Sequence, residues 1–379
     1  MILTAKIKLI TDKLQGDALK RTLETTNAAC GFLSKMAWDQ KVFARFKLQK
    51  IGYAACRQNF PALSSQIVIR AMAKVADAYK LDKKTMRTFK PHGAISYDSR
   101  ILSWNLASQT VSIWTVDGRL KISFAAGKRQ LELLGFDRGE ADLCYIGNEW
   151  YLFVSCKFDD PKPIDVVDVL GIDLGIVNLA TDSDGVTYSG TSVEINRKKF
   201  SHRRRNLQRK GTKAAKRKLK QISGRQARLQ SDVNHVISKR VVNKAKDTSR
   251  SIGLEDLTGI RERVTVRRAQ RARHANWAFF QLKSYISYKA ACAGVPVIYV
   301  DPRNTSRCCN VCGCIDKANR RSQSEFRCVT CGRVDLADHN AALNIRSRAS
   351  ADVKRQMVTL VSNSVNHGSY KLPVLTGSI

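Results

Sequence analysis

The sequence predicts an α/β core with an inserted four-cysteine zinc module, preceded by a β-barrel or sheet that carries a helical insert. Three observations predict it. Apolar runs at 166–180, 251–257 and 295–302 do not alternate and are bounded by turn residues, as in strands buried on both faces. Between Pro91 and Asp160 the hydrophobic period is two, the signature of half-buried antiparallel strands. Six of the eleven cysteines crowd into residues 308 to 331, a density that points to a metal rather than to a disulfide scaffold.

Each element follows from its pattern. ILTAKIKLIT at the N-terminus alternates as a strand. After Asp17, Leu19, Leu23, Cys30, Leu33 and Ala37 fall at helical spacing, and Val68, Met72, Val75 and Tyr79 mark the face of a later helix. ILSWNL, TVSIWTVDGRLKISF and DLCYIGNEWYLFVSCKF read as strands, with Asp117-Gly118 and Gly147-Asn148 as hairpin turns. DDPKPID, with two prolines close together, makes a natural boundary. Residues 195 to 231 hold 15 Lys or Arg and no acid. Their apolar stripe (Leu207, Leu219, Ile222, Leu229, then Val233, Ile237 and Val241) predicts long helices broken near Gly211 and Gly224. SIGLEDL is a short strand, WAFFQLKSYISYKA (277–290) an aromatic core helix, and VPVIYVDP a further buried strand. After Arg348 the chain reads as a polar, poorly ordered tail.

Composition bounds the partners. The 379 residues are 43% apolar, enough for two or three domains with real cores. The net charge of +34, from 66 Lys and Arg against 32 Asp and Glu, disfavours an ordinary enzyme of small metabolites. It calls for a polyanion, nucleic acid before a membrane surface. No run of about 18 apolar residues occurs, and MILTAKIKLITDKLQG lacks a signal-peptide core. A reducing cytoplasm is the expected setting.

In RCCNVCGCIDKANRRSQSEFRCVTCGRVD, Cys309 and Cys312 form one C-x-x-C pair and Cys328 and Cys331 another, fifteen residues apart. Glycine follows each pair. This spacing brings four thiolates to one tetrahedral ion, a closed structural zinc site. Cys308 and Cys314 are spare, and the repeat of C-x-x-C-G favours the register that leaves them out.

Asp173 lies within the apolar run VVDVLGIDLGIVNLA, with Gly171 before it and Gly175 after it. A lone carboxylate there costs several kcal/mol unless something positive meets it. The glycines allow backbone or ligand to come close, so its partner is not expected to be an ordinary side chain. Glu255 ends a strand in the same way, and Asp338 sits on the helical stretch LADHNAALNI. Three such acids converging on one sheet edge suit two hard divalent cations and phosphodiester chemistry. GIDLGIVN also looks like the first phosphate loop of actin-like ATPases. Ile176 and Val177 stand where those proteins carry hydroxyls, and the second phosphate loop and adenosine motif are missing.

Taken in order, GIDLGIVNLAT, the basic hairpin ending in DVNHVISKRVV, IGLEDLTGIR, VDPRNTSRCCNVCG, NRRSQSEFRC and LADHNAALNI resemble the motifs of the TnpB family. These are transposon-encoded RNA-guided DNA endonucleases related to the type V CRISPR effectors. The resemblance covers roughly residues 166 to 346. It implies an RNase H-like RuvC nuclease over 166–305, with its basic helical hairpin at 195–246. A zinc ribbon (306–334), a C-terminal RuvC helix (335–350) and a polar tail (351–379) would follow. The N-terminal half would be a wedge β-barrel (1–14 and 89–165) with a helical recognition insert (15–88). Asp173, Glu255 and Asp338 fall on the family's three catalytic, Mg²⁺-binding acids, and Cys309, Cys312, Cys328 and Cys331 on its zinc ligands. The implied partners are a guide RNA from the transposon end and double-stranded target DNA, in a prokaryotic cytoplasm at the nucleoid. Protein would read backbone and a short flanking motif while base pairing reads sequence. Gly253, where a bulkier residue would pack better, and Leu336, in place of a frequent His, depart from the pattern. A repressor that has lost cutting and a DNA transposase are the competing classes.

Overall fold

The computed structural model of the chain describes residues 1–257, 279–322 and 324–364. The chain divides into two compact units, Met1–Asp159 and Asp160–Ile379.

The first unit runs β1 (Ile2–Ile10), α1 (Lys13–Asp39), α2 (Arg45–Asn59), α3 (Ser65–Leu81), β2 (Ile95–Tyr97), β3 (Leu102–Asn105), β4 (Thr110–Thr115), β5 (Gly118–Ala125), α4 (Lys128–Leu134), β6 (Asp137–Ile146) and β7 (Glu149–Lys157). Its sheet has the order β2-β6-β7-β1-β5-β4-β3. The two edge strands are consecutive in the chain, so the sheet curls until it nearly closes. The Tyr97 hydroxyl of β2 donates to the Trp114 carbonyl of β4 at 3.1 Å, across the gap between the edges. All the positions read as helix faces in α1 and α3 are buried. Helix α1 begins before Asp17 because Asp12 and Gln15 form a reciprocal capping box. Gly147 and Asn148 turn with φ of 61° and 67°, the left-handed pair a two-residue hairpin needs. In the other hairpin Thr115 pairs with Gly118, so the loop residues are Val116 and Asp117, one position earlier than expected.

The second unit holds β8 (Asp168–Asp173), β9 (Asn178–Asp182), β10 (Thr187–Ser189), α5 (Thr191–Lys210), α6 (Lys213–Asp247), β11 (Arg250–Glu255), α7 (Phe279–Ala293), β12 (Val297–Val300), β13 (Glu325–Arg327), β14 (Val334–Leu336) and α8 (Ala337–Ser364). Its main sheet has the order β10-β9-β8-β11-β12. The first three strands form an antiparallel meander, and β8, β11 and β12 are parallel.

Strand alternation sorts the two faces. Leu170, Ile172, Ile252 and Leu254 pack with Ile237 and Val241 of α6 and Leu282 and Ile286 of α7. Val169 and Val300 pack with Ile345 and Ala349 of α8 on the opposite face.

Several expectations are corrected. Gly211, at φ 64°, does end α5, but Gly224 lies inside an unbroken 35-residue helix. Flanking Lys, Arg, Gln and Ala outweigh one glycine's cost of about 1 kcal/mol. Strand β12 is an edge strand with Tyr299 44% exposed, not a buried one. Helix α8 continues to Ser364, past the point where the tail was expected. The end of IGLEDLTGIR after Leu257, Trp277 and Ala278, Gln323 and residues 365–379 lie outside the described residues.

Candidate active site

On β8 the period of two puts Val169, Gly171 and Asp173 on the face that meets α8, and on β11 it puts Ser251, Gly253 and Glu255 there. The two strands are parallel neighbours with Gly171 opposite Gly253. The two acids therefore end adjacent strands on one face. Each has a glycine two residues earlier, beneath the helix. A Cβ on Gly171 would lie 2.2 Å from the Ala342 carbonyl oxygen and 2.6 Å from the Arg346 nitrogen. The helix backbone thus rests directly on β8. A Cβ on Gly175 would lie 2.5 Å from the Asn178 carbonyl oxygen. Both close approaches are to backbone, as expected. Gly253 is a correction: its Cβ would meet the side chains of Ala349, Val169 and Ile345 at 3.1–3.3 Å, so a larger residue makes these neighbours give way instead of filling a gap.

This close seat brings the first turn of α8, with Asp338, beside the strand ends. Asp173 is pushed well above the usual carboxylate range, first by burial and then by the charges of Glu255 and Asp338. Arg320 and the Leu174 amide oppose that rise. Glu255 is raised by burial, with the Thr305 hydroxyl, Arg348 and Arg320 opposing. Thr305 donates its hydroxyl to Glu255, and Asn178 donates its amide to Asp338 at 2.8 Å. The Arg320 guanidinium stands 3.6 Å from the Asp338 carboxylate. Sequence pattern flagged the three acids but not Asn178, Thr305 or Arg320. The latter three all lie within the quoted motifs, yet nothing in their spacing marks them.

The four cysteines come together as expected. Their sulfurs all lie within 4.8 Å of one another, the one group of potential metal ligands this tight among the described residues. The two knuckles repeat one geometry. Gly313 donates to the Cys309 carbonyl at 2.9 Å and Gly332 to that of Cys328 at 3.1 Å, with φ of 74° and 72°. The Cys331 and Thr330 amides pull the Cys328 thiol down, while Cys312 and Cys331 are held up in the same cluster. Cys308 and Cys314 stay outside the cluster.

Two further residues escaped the sequence. Asn344 donates to the carbonyls of Thr305 and Cys308 at 2.8 and 2.7 Å, and Asn340 to that of Cys308 at 2.9 Å. One turn apart on α8, they clamp the base of the first knuckle to the helix that carries Asp338.

No helix among the described residues is long and apolar enough to cross a membrane. A family profile described as "Probable transposase" matches residues 153–258, and one described as "Cas12f1-like, TNB domain" matches residues 279–345. The chain is 34% identical over 216 residues to the CRISPR-associated endodeoxyribonuclease Cas12f1 of Sulfoacidibacillus thermotolerans, across 52% of this chain and 50% of that relative. It thus spans about half the length of that relative. A solved Cas12f1–sgRNA–target DNA complex shares the fold, with a TM-score of 0.56 at 15% identity over 86% of this chain and 82% of that one. A TnpB-like protein of Methanocaldococcus jannaschii is 33% identical over 201 residues, across 50% of this chain and 71% of its own length. At that identity and coverage, the chain belongs to the TnpB-like family.

Proposed function

We propose that this protein is an RNA-guided DNA endonuclease that cuts target DNA beside a short flanking motif in a single RuvC site. The observation that carries the reading is the meeting of Asp173, Glu255 and Asp338 at one end of one sheet face. The meander followed by two parallel strands supports an RNase H-like core. The nearly closed sheet and the α1–α3 insert support the wedge and recognition roles of the first unit.

The donor set fits hard divalent cations. Three carboxylates, two of them raised by burial, share few cationic neighbours, and positive charge from Mg²⁺ would relieve that repulsion. When bound, a Mg²⁺ pair supplies an activated water and stabilises the leaving oxygen of a phosphodiester. The chain's own residues do the rest. Strand ends hold Asp173 and Glu255 in fixed positions, Thr305 orients Glu255, and Asn178 orients Asp338. The acid-free run 195–231 holds phosphates. Cys309, Cys312, Cys328 and Cys331 fit a closed zinc site that is structural, since four thiolates leave no open position.

The test is to purify the protein with its native flanking locus and sequence the RNA that accompanies it. A discrete RNA ending in a variable segment is expected. Supplied with a plasmid library matched to that segment, the complex should cut in Mg²⁺ and not in EDTA. Absence of a discrete RNA, or joining of DNA ends without one, would overturn the reading.

A further inference from the structure

Between α5 and α6 lies an open cavity of about 300 Å³, at the small end of the range for ligand pockets. Phe200, Leu207 and Ile222 supply apolar lining, and Arg203, Lys210, Lys218 and Arg225 supply cations. No acid lines it, and none occurs between residues 195 and 231. The hairpin beside it is pinned: Arg204 donates to the Gln226 side chain at 2.7 Å. The four cations are exposed, whereas Phe200 is half-buried.

We infer that this cavity is a binding site for one unstacked nucleotide of a single-stranded segment. The inference rests on the nucleic-acid partner proposed above and adds where and how one base is held. Cations alone would grip any duplex by its phosphates. An aromatic and aliphatic floor gains nothing from a phosphate, and bases inside a duplex are stacked out of its reach. A base turned out of the stack satisfies both parts, its ring on Phe200 and its phosphates on the four cations. Asn206, also lining the cavity, has its amide nitrogen on the His202 ring at 3.0 Å and offers its amide oxygen as an acceptor to the base edge. An acidic peptide would suit the cations but would leave the apolar floor of Phe200, Leu207 and Ile222 unused.

The test uses the full-length protein and three probes. These are an oligouridylate of about ten nucleotides carrying 4-thiouridine, its DNA counterpart carrying 4-thiothymidine, and a blunt RNA duplex of equal total charge. Irradiation should crosslink a single-stranded probe to a peptide of α5 or α6 that lines the cavity, and the probe that reacts names the strand. Phe200→Ala should weaken single-strand binding about tenfold and duplex binding by less than about twofold. Phe200→Trp, which keeps a ring, should bind single strands as the wild type does. Asp173→Ala should crosslink normally, so failure of the nuclease reading and failure of this site are told apart. Crosslinks from neither single strand, or equal loss of duplex and single-strand binding in Phe200→Ala with no rescue by Phe200→Trp, would overturn the inference.

Discussion

Gly171 and Asp173 do separate jobs on one strand face, and together they set the position of the site. The glycine admits the α8 backbone, and the acid lies just beyond its first turn. Gly171→Ala drives a methyl group into the Ala342 carbonyl and the Arg346 amide, neither of which can swing away. It should cost about 3 kcal/mol, read as a lowered urea midpoint. Gly253→Ala meets only side-chain atoms at 3.1–3.3 Å and should cost less than about 1 kcal/mol. Equal effects would show that α8 does not rest on β8 as described. The same residues explain what was legible. A carboxylate in an apolar run is conspicuous, and a period of two assigns its face. Gly171 was legible only as permission for close approach, because its partner is a helix about 170 residues further on.

A second residue-scale prediction concerns acid. Arg250 makes two hydrogen bonds to Asp184, at 2.8 and 2.7 Å, and Lys244 lies 2.8 Å from it, beside the buried Asp182. The bond from Arg250 is the main cause that holds the Asp184 carboxyl far below its usual range. A depressed folded pKa means the stabilisation is complete above the unfolded value. It is then lost as pH falls below about 4 toward the folded pKa. Urea midpoints should therefore drop between about pH 5 and pH 3. Arg250→Gln should lower the pH 6 midpoint and flatten that drop. An unchanged slope would remove this pair from the acid response.

At the scale of elements, the cysteine module and α8 behave as one piece. Both knuckles were readable from C-x-x-C-G, and the structure adds the asparagine clamp that joins the first of them to the helix. Zinc binding is coupled to folding. Cys328→Ser, or removal of zinc by a chelator, should lower solubility and cooperative stability, measured by thermal unfolding with and without added Zn²⁺. Full stability without zinc would refute the closed site. Helix ends were the weakest part of the sequence reading. Gly211 stops a helix because it sits at the end in a left-handed conformation, whereas Gly224 sits where helix-forming neighbours carry the chain through. Short elements were invisible for another reason. Strands β2 and β10 have three residues each, too few to establish a period.

For the whole molecule, a charge of +34 on 379 residues sets how it meets its partners. Counterion release makes such binding steeply dependent on salt, so affinity for the proposed guide RNA should fall by about a thousandfold or more between 50 and 200 mM salt. A flat response would deny the phosphate-holding role of the basic hairpin. The α/β core was legible because β8 and β11 are apolar and end in distinctive motifs. For the first sheet the local pattern left barrel and open sheet as alternatives, since closure depends on which edges meet. The central claim is that the acids gathered at the α8 face form the cutting centre, and Asp173→Ala tests it most directly. Matched DNA should be bound by the variant's RNA complex as tightly as by the wild type and left uncut in Mg²⁺. Cutting at the wild-type rate by Asp173→Ala would contradict the account.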